Sequence, residues 1–187
     1  MRKTILFEIG TEELPASLVK IVATTLYESL AKKFNQNEFV FESKEIFSTP
    51  RRLSAIFYNI NDKTPEKEIV KKGPRKSDAF DNNGVPTKIG IGFAKSVNSS
   101  VENLITIGSE SEERLAFKSR IESISLEQQA PINLESCITE IQNAKGMFWG
   151  SGLIKFIRPI RWITIIIDNR VIDGCVFNFK IKITILL

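Results

Sequence analysis

Residues 39–60, FVFESKEIFSTPRRLSAIFYNI, place two β-rich runs, Phe39–Phe47 and Leu53–Ile60, on either side of Ser48-Thr49-Pro50. A connection this short joins antiparallel neighbours, because a parallel crossover needs a dozen or more residues. The same pairing recurs along the chain. Leu104–Ile107 and Leu115–Ile121 form a second expected pair, the latter alternating Leu115, Phe117, Ser119 and Ile121 with Lys118 and Arg120. Trp162–Ile167 and Val171–Phe177 form a third, turning at Asp168-Asn169. Upstream, Thr4–Ile9 reads as a short buried strand. From Pro15 onward Leu18, Ile21, Val22, Leu26 and Leu30 recur at helical spacing, with Glu12 and Glu13 expected to cap the first turn and Asn35–Asn37 to end the helix. Further helices are expected from Pro86 to about Val97 and from Leu126 to Ala144. Strands in neighbouring pairs, separated by helices, define an α+β fold: a mainly antiparallel sheet with about three packed helices. A doubly wound nucleotide fold would alternate single strands with helices.

With 187 residues, 42% of them hydrophobic, the chain can hold one large domain or two small ones. Twenty-six Lys and Arg against 22 Asp and Glu give a net charge of +4, which suits an acidic partner without requiring one. There is no histidine, and the two cysteines, Cys137 and Cys175, lie far apart in sequence. That composition argues against a disulfide framework, a zinc site and histidine-based acid–base catalysis, and fits a reducing cytoplasm. The apolar run Ile5–Ile9 is too short for a signal peptide, and no run approaches the roughly 20 residues of a membrane span.

The densest local charge is Lys71, Lys72, Arg75 and Lys76, expected to project from a turn at Gly73-Pro74. Cations grouped in this way suit phosphate, since each contact releases counterions. Arg51 and Arg52 beside Thr49-Pro50, and Arg158 and Arg161 around Pro159, are two further basic pairs at strand ends. Arginine's planar fork can make two parallel hydrogen bonds to one phosphate. The alternative for all of them is solvated charge or pairing with nearby acids. Trp149 and Trp162 have rings that can stack on bases, but their apolar positions favour the core. Gly90-Ile91-Gly92 lacks the third glycine of a dinucleotide loop and any following Gly-Lys-Ser or Gly-Lys-Thr. Asp81-Asn82-Asn83-Gly84 reads as a turn, because Gly92 stands where a calcium loop needs its closing glutamate. Neither cysteine has a basic neighbour to activate it. No catalytic residues, cofactor-binding residues or metal ligands are expected.

Four segments, LFEIGTEELPA from residue 6, STPRRL from 48, KGPRKSDAFDNNGVPTKIGIGFAKS from 72 and FIRPIRW from 156, occur in the order found in the beta subunit of bacterial tetrameric glycyl-tRNA synthetase. The chain resembles the N-terminal region of that family over residues 1–174, divisible into two subdomains, with 175–187 a tail that departs from it. The resemblance implies an α2β2 ligase that joins glycine to tRNA(Gly) with ATP in cytoplasmic translation. ATP and Mg would be bound by the catalytic alpha subunit, and the beta subunit would serve as a tRNA-handling scaffold. It also favours the eight basic residues named above as contacts to tRNA or to the other subunit. KSMRWG of the family appears as KGMFWG, placing Phe148 where the family has arginine, and Ile89-Gly90 replaces an alanine pair where close packing is expected. The alternating tail Lys180–Ile185 reads as an edge strand liable to aggregate if it lacks a sheet partner. These departures, with no histidine-containing continuation, point to a truncated or split subunit. The other expectations are a protein-interaction module that never touches RNA, and an inert remnant.

Overall fold

The computed structural model describes residues 1–81, 84–108, 112–141, 146–149 and 154–183. The chain divides into two compact units: residues 1–65 with 124–187, and residues 66–123. The second is inserted in sequence between two parts of the first. Its two ends meet within unit 1, where Thr64 N donates to Ile124 O at 3.0 Å and Ile124 N donates to Thr64 Oγ1 at 2.9 Å. Joining the ends in this way lowers the loop-closure cost of the insertion.

Unit 1 is a five-stranded sheet ordered β10-β9-β1-β3-β2, from β1 (Arg2–Thr11), β2 (Ser43–Thr49), β3 (Arg52–Asn61), β9 (Ile160–Ile167) and β10 (Arg170–Val171). All neighbours are antiparallel. Ile5, Phe7 and Ile9 of β1 lie opposite Phe57, Ala55 and Leu53 of β3, and opposite Ile167, Ile165 and Ile163 of β9. Period-two alternation therefore puts nine apolar side chains on one face, all buried. Helix α1 (Ala16–Gln36) buries Val22, Leu26, Tyr27, Leu30 and Phe34, and the Tyr27 hydroxyl donates to Leu53 O at 2.7 Å. Helix α4 (Leu126–Glu140) adds Leu126, Ala130, Leu134, Cys137 and Ile138 to the same core. The Phe34 ring sits 5.9, 5.9 and 5.3 Å from those of Phe7, Phe39 and Phe57. Helix α4 begins with a capping box, in which the Ser125 hydroxyl accepts from Gln128 N while the Gln128 side chain accepts from Ser125 N. At the β9–β10 hairpin Asp168 adopts φ +52° and accepts from Lys3 Nζ at 2.8 Å, a bond that holds its carboxyl below the usual range.

Unit 2 is a three-stranded antiparallel sheet ordered β4-β6-β5, from β4 (Lys67–Arg75), β5 (Ile105–Ile107) and β6 (Arg114–Ile121), with the one-turn helix α2 (Lys76–Ala79) and α3 (Lys88–Ser96). The Thr87 hydroxyl caps α3 by accepting from Gly90 N. The expected β5–β6 pair is present, and the expected helix from Pro86 becomes α3.

Several expectations are corrected. The Gly73-Pro74 turn is instead a bulge within β4: Lys72 pairs with Ala116 and Arg75 with Arg114, leaving one extra residue in β4. Glycine and a proline without an N–H fit a bulge as well as a turn. Glu12 and Glu13 do not cap α1, which starts at Ala16 with no acidic residue in its first turn. Ile89 is exposed, and the close packing falls on Gly90, where a Cβ would sit 2.5 Å from Ala79 O. The hairpin after Asp168 pairs only Arg170 and Val171 with β9, while β11 (Cys175–Val176) pairs with β12 (Phe179–Lys180). Strand β2 starts at Ser43, four residues later than expected. Of the tail, Ile181 bridges Ile163 and is buried. Asn82, Asn83, residues 142–144 of the expected helix and the tail beyond residue 183 lie outside the described residues.

Candidate nucleic-acid interface

Residues 11–14 of unit 1 run between two turns that the chain brings together. Thr11 N donates to Arg51 O and Leu14 N to Pro50 O on one side, and Glu12 N donates to Pro159 O on the other. This threading gathers Arg51, Arg52, Arg158 and Arg161 at one end of the sheet, beside Glu8, Glu12 and Glu13. Arg51 pairs with Glu13 at 3.4 Å, Arg161 with Glu12 at 3.4 Å, and Arg158 Nε donates to Glu13 O at 3.2 Å. The glutamates expected at a helix start are therefore the counter-charges of the arginines.

Arg52 is held differently. Gly10 pairs with Arg52 on one side and Trp162 on the other, so all three lie side by side on the outer face of the sheet. A Cβ at Gly10 would fall 2.0 Å from the Trp162 ring, so only glycine lets that ring lie across β1. The Arg52 guanidinium stands 5.8 Å from the ring centroid, within cation–π range. Glu8 accepts from Trp162 Nε1 at 3.0 Å and lies 3.9 Å from Arg52. Trp162 is 5% exposed, so its ring is closed to stacking by a base. Trp149 is half-buried and donates from Nε1 to Phe156 O at 2.9 Å. Phe148 is 66% exposed.

In unit 2 the four cations around the β4 bulge separate. Lys71 lies opposite Phe117 and Lys72 opposite Ala116, so the two side chains leave opposite faces of the sheet. Lys76 pairs with Glu113 at 2.7 Å. Lys71, Lys72 and Arg75 have no ion pair or hydrogen bond from their side chains to the described residues. Arg114, which the sequence reading passed over, stands directly across from Arg75. Only strand register could have found it, since 38 positions of chain separate the two. Among the described residues no group of three or more Cys, Asp or Glu is arranged to hold a metal ion, and no helix is long and apolar enough to cross a membrane. Cys137 is buried and its thiol is pushed up to about 11 by desolvation, whereas Cys175 is exposed.

Antiparallel α+β units carrying basic edges fit many proteins, so the class comes from comparison with known sequences. A family model described as "Glycyl-tRNA synthetase beta subunit" matches residues 5–185. The glycine–tRNA ligase beta subunit of Natranaerobius thermophilus is 33% identical over 92% of this chain and 25% of its own length. That of Buchnera aphidicola subsp. Acyrthosiphon pisum is 34% identical over 97% and 26%, and that of Haemophilus influenzae 33% over 90% and 25%. These relatives place the chain among the aminoacyl-tRNA synthetases. More narrowly, it belongs to the glycyl-tRNA synthetase beta subunit family, and it spans about a quarter of the length of the curated relatives it matches.

Proposed function

We propose that this chain supports ATP-dependent glycylation of tRNA(Gly) in translation by contacting tRNA together with a catalytic alpha subunit, and that it does no chemistry alone. ATP and Mg belong to the alpha subunit in this reading, and the assembly is cytoplasmic. Family membership carries the proposal, because the match extends over nearly the whole chain. Physical support comes from the uneven charge balance among the described residues: Arg51, Arg52 and Arg161 of unit 1 lie against carboxylates, whereas Lys71, Lys72, Arg75 and Arg114 of unit 2 make no ion pair. Unmatched cations are the ones that gain most from a phosphate backbone.

The test is to pass the chain over immobilised tRNA(Gly) and, separately, immobilised alpha subunit from the same source. Retention on both is expected, with tRNA affinity falling steeply with salt. Replacing Lys71, Lys72, Arg75 and Lys76 by alanine should abolish tRNA retention and leave alpha-subunit retention unchanged. Absent or salt-independent tRNA binding overturns the RNA part of the reading.

A second reading, a protein-docking module without RNA contact, draws on a different observation. Ile69 and Ile121 on one face of the unit 2 sheet, and Val70 and Ile105 on the other, are each 40% exposed or more, exposed apolar side chains of the kind that partners cover. The same alanine variant separates the two readings, since loss of alpha-subunit retention with unchanged tRNA binding supports the second.

A further inference from the structure

We propose that Lys72, Arg75 and Arg114 form a seat for a single phosphate group on one face of the unit 2 sheet. Residues directly opposite in an antiparallel pair share a face, and Ala116 and Arg114, two apart on β6, face the same way. Lys72 opposite Ala116 and Arg75 opposite Arg114 therefore lie on that face too. Without the bulge, three residues of separation on β4 would send Lys72 and Arg75 to opposite sides, so the extra residue at Gly73-Pro74 is what aligns them. Arg75 directly across from Arg114 sets two like charges side by side, an arrangement that destabilises a bare sheet and that a bound anion relieves.

Elsewhere around the sheet, Lys71 on the opposite face excepted, the cations are paired. Lys118 pairs with Glu68 at 2.8 Å, Arg120 with Glu66 and Lys76 with Glu113 at 2.7 Å, whereas Lys72, Arg75 and Arg114 have no side-chain partner among the described residues. Lys72 and Arg114 also line an open depression of about 400 Å³ with Ile107, Gly108 and Glu112. Two guanidinium forks and one ammonium suit the non-bridging oxygens of a phosphate group, the forks giving direction and the ammonium a point charge. Among the described residues Glu112 is the one repulsive group lining the depression. It restrains affinity, as suits a contact that must be released.

Phosphate chemistry of this kind is offered by an RNA backbone and by a free nucleotide alike. The RNA source rests on the function proposed above, whereas the seat itself does not. The whole chain is titrated with inorganic pyrophosphate, read by backbone amide chemical shifts, and the titration is repeated with a uridine oligonucleotide as competitor. Saturable shifts confined to the strands around Lys72, Arg75 and Arg114 are expected. Arg114→Ala should weaken pyrophosphate about tenfold, by the usual worth of a charged hydrogen bond. Glu112→Gln should tighten it, and Lys71→Ala, on the other face, should change it less than about twofold. Arg114→Lys keeps the charge without the fork and guards against a folding artefact, with intermediate affinity expected. Competition by the oligonucleotide identifies the backbone as the source. Pyrophosphate binding at the seat without competition keeps the seat, assigns it to a free phosphate compound and removes the RNA reading. Non-saturable shifts, or equal losses in the Arg114→Ala and Lys71→Ala proteins, overturn the seat.

Discussion

Four arginines gather at the sheet end of unit 1 and four cations surround the β4 bulge of unit 2, yet the two groups are in opposite electrostatic states. Arg51, Arg52 and Arg161 face Glu13, Glu8 and Glu12. Lys71, Lys72 and Arg75 make no ion pair with the described residues, and Arg75 faces another arginine. The apolar side chains divide in the same way. Unit 1 buries a sheet face, two helices and a cluster of phenylalanines. Among the described residues of unit 2 the buried hydrophobics are Ala79, Ala94, Leu115 and Ala116, while Ile69, Val70, Val85, Ile89, Ile91, Ile105 and Ile121 are exposed. Unit 1 therefore holds the larger core, although Ile21, Phe47, Ile132 and Phe148 are exposed on it as well. A count of cations alone would have ranked them equally.

The comparison breaks most easily at Phe34. Truncating it to alanine should remove roughly 3–5 kcal/mol from unit 1, read by urea unfolding with Trp162 fluorescence. Hydrogen exchange in β6 should change far less, and an equal loss there would mean the units share one cooperative core. In unit 2 the corresponding point is Gly90. A methyl group there meets the Ala79 carbonyl, so Gly90→Ala should cost about 1–3 kcal/mol and speed exchange in α2 and α3.

Cys137 gives a pH-dependent counterpart in unit 1. Its thiol holds its proton to about 11 in the folded state, while an unfolded cysteine releases it near 8.5. The folded state binds more protons between those values, so stability is full below about pH 8.5 and falls as pH rises through 11. The loss is roughly 3 kcal/mol and should be absent in Cys137→Val, with Tyr27 contributing the same downward trend to both proteins. Last and smallest, Gly92 of α3 has open space around its would-be Cβ. Gly92→Ala should stabilise unit 2 by up to about 1 kcal/mol, seen as slower exchange in α3. Gly90 and Gly92, two residues apart, thus have opposite expected signs.

Much of unit 1 is legible in the sequence because its strands are buried on one face. Leu53, Ala55 and Phe57 alternate with Ser54 and Ile56, and α1 repeats apolar residues at helical spacing. Strand β4 escapes this reading because KEIVKKGPR is wet on both faces, so no period-two pattern is written into it, and its Gly-Pro is the signal of a turn. The arginine pairs are visible as pairs, but their partners are not. Glu12 and Glu13 lie next to a helix in sequence and next to Arg161 and Arg51 in space. Gly10 carries no hint in sequence of the Trp162 ring that crosses it. Arg114 becomes visible only once β4 and β6 are in register.

The central claim is that unmatched charge, not the number of arginines, marks the RNA-contacting surface. It is tested most directly by measuring tRNA(Gly) affinity at two salt concentrations for the unaltered chain, for Arg51→Ala/Arg161→Ala and for Lys72→Ala/Arg75→Ala. The account predicts that the unit 1 pair changes affinity less than about threefold, and that the unit 2 pair lowers it tenfold or more and flattens the log–log salt slope by about 1–2. Equal losses from both pairs, or a larger loss from Arg51→Ala/Arg161→Ala, would contradict it.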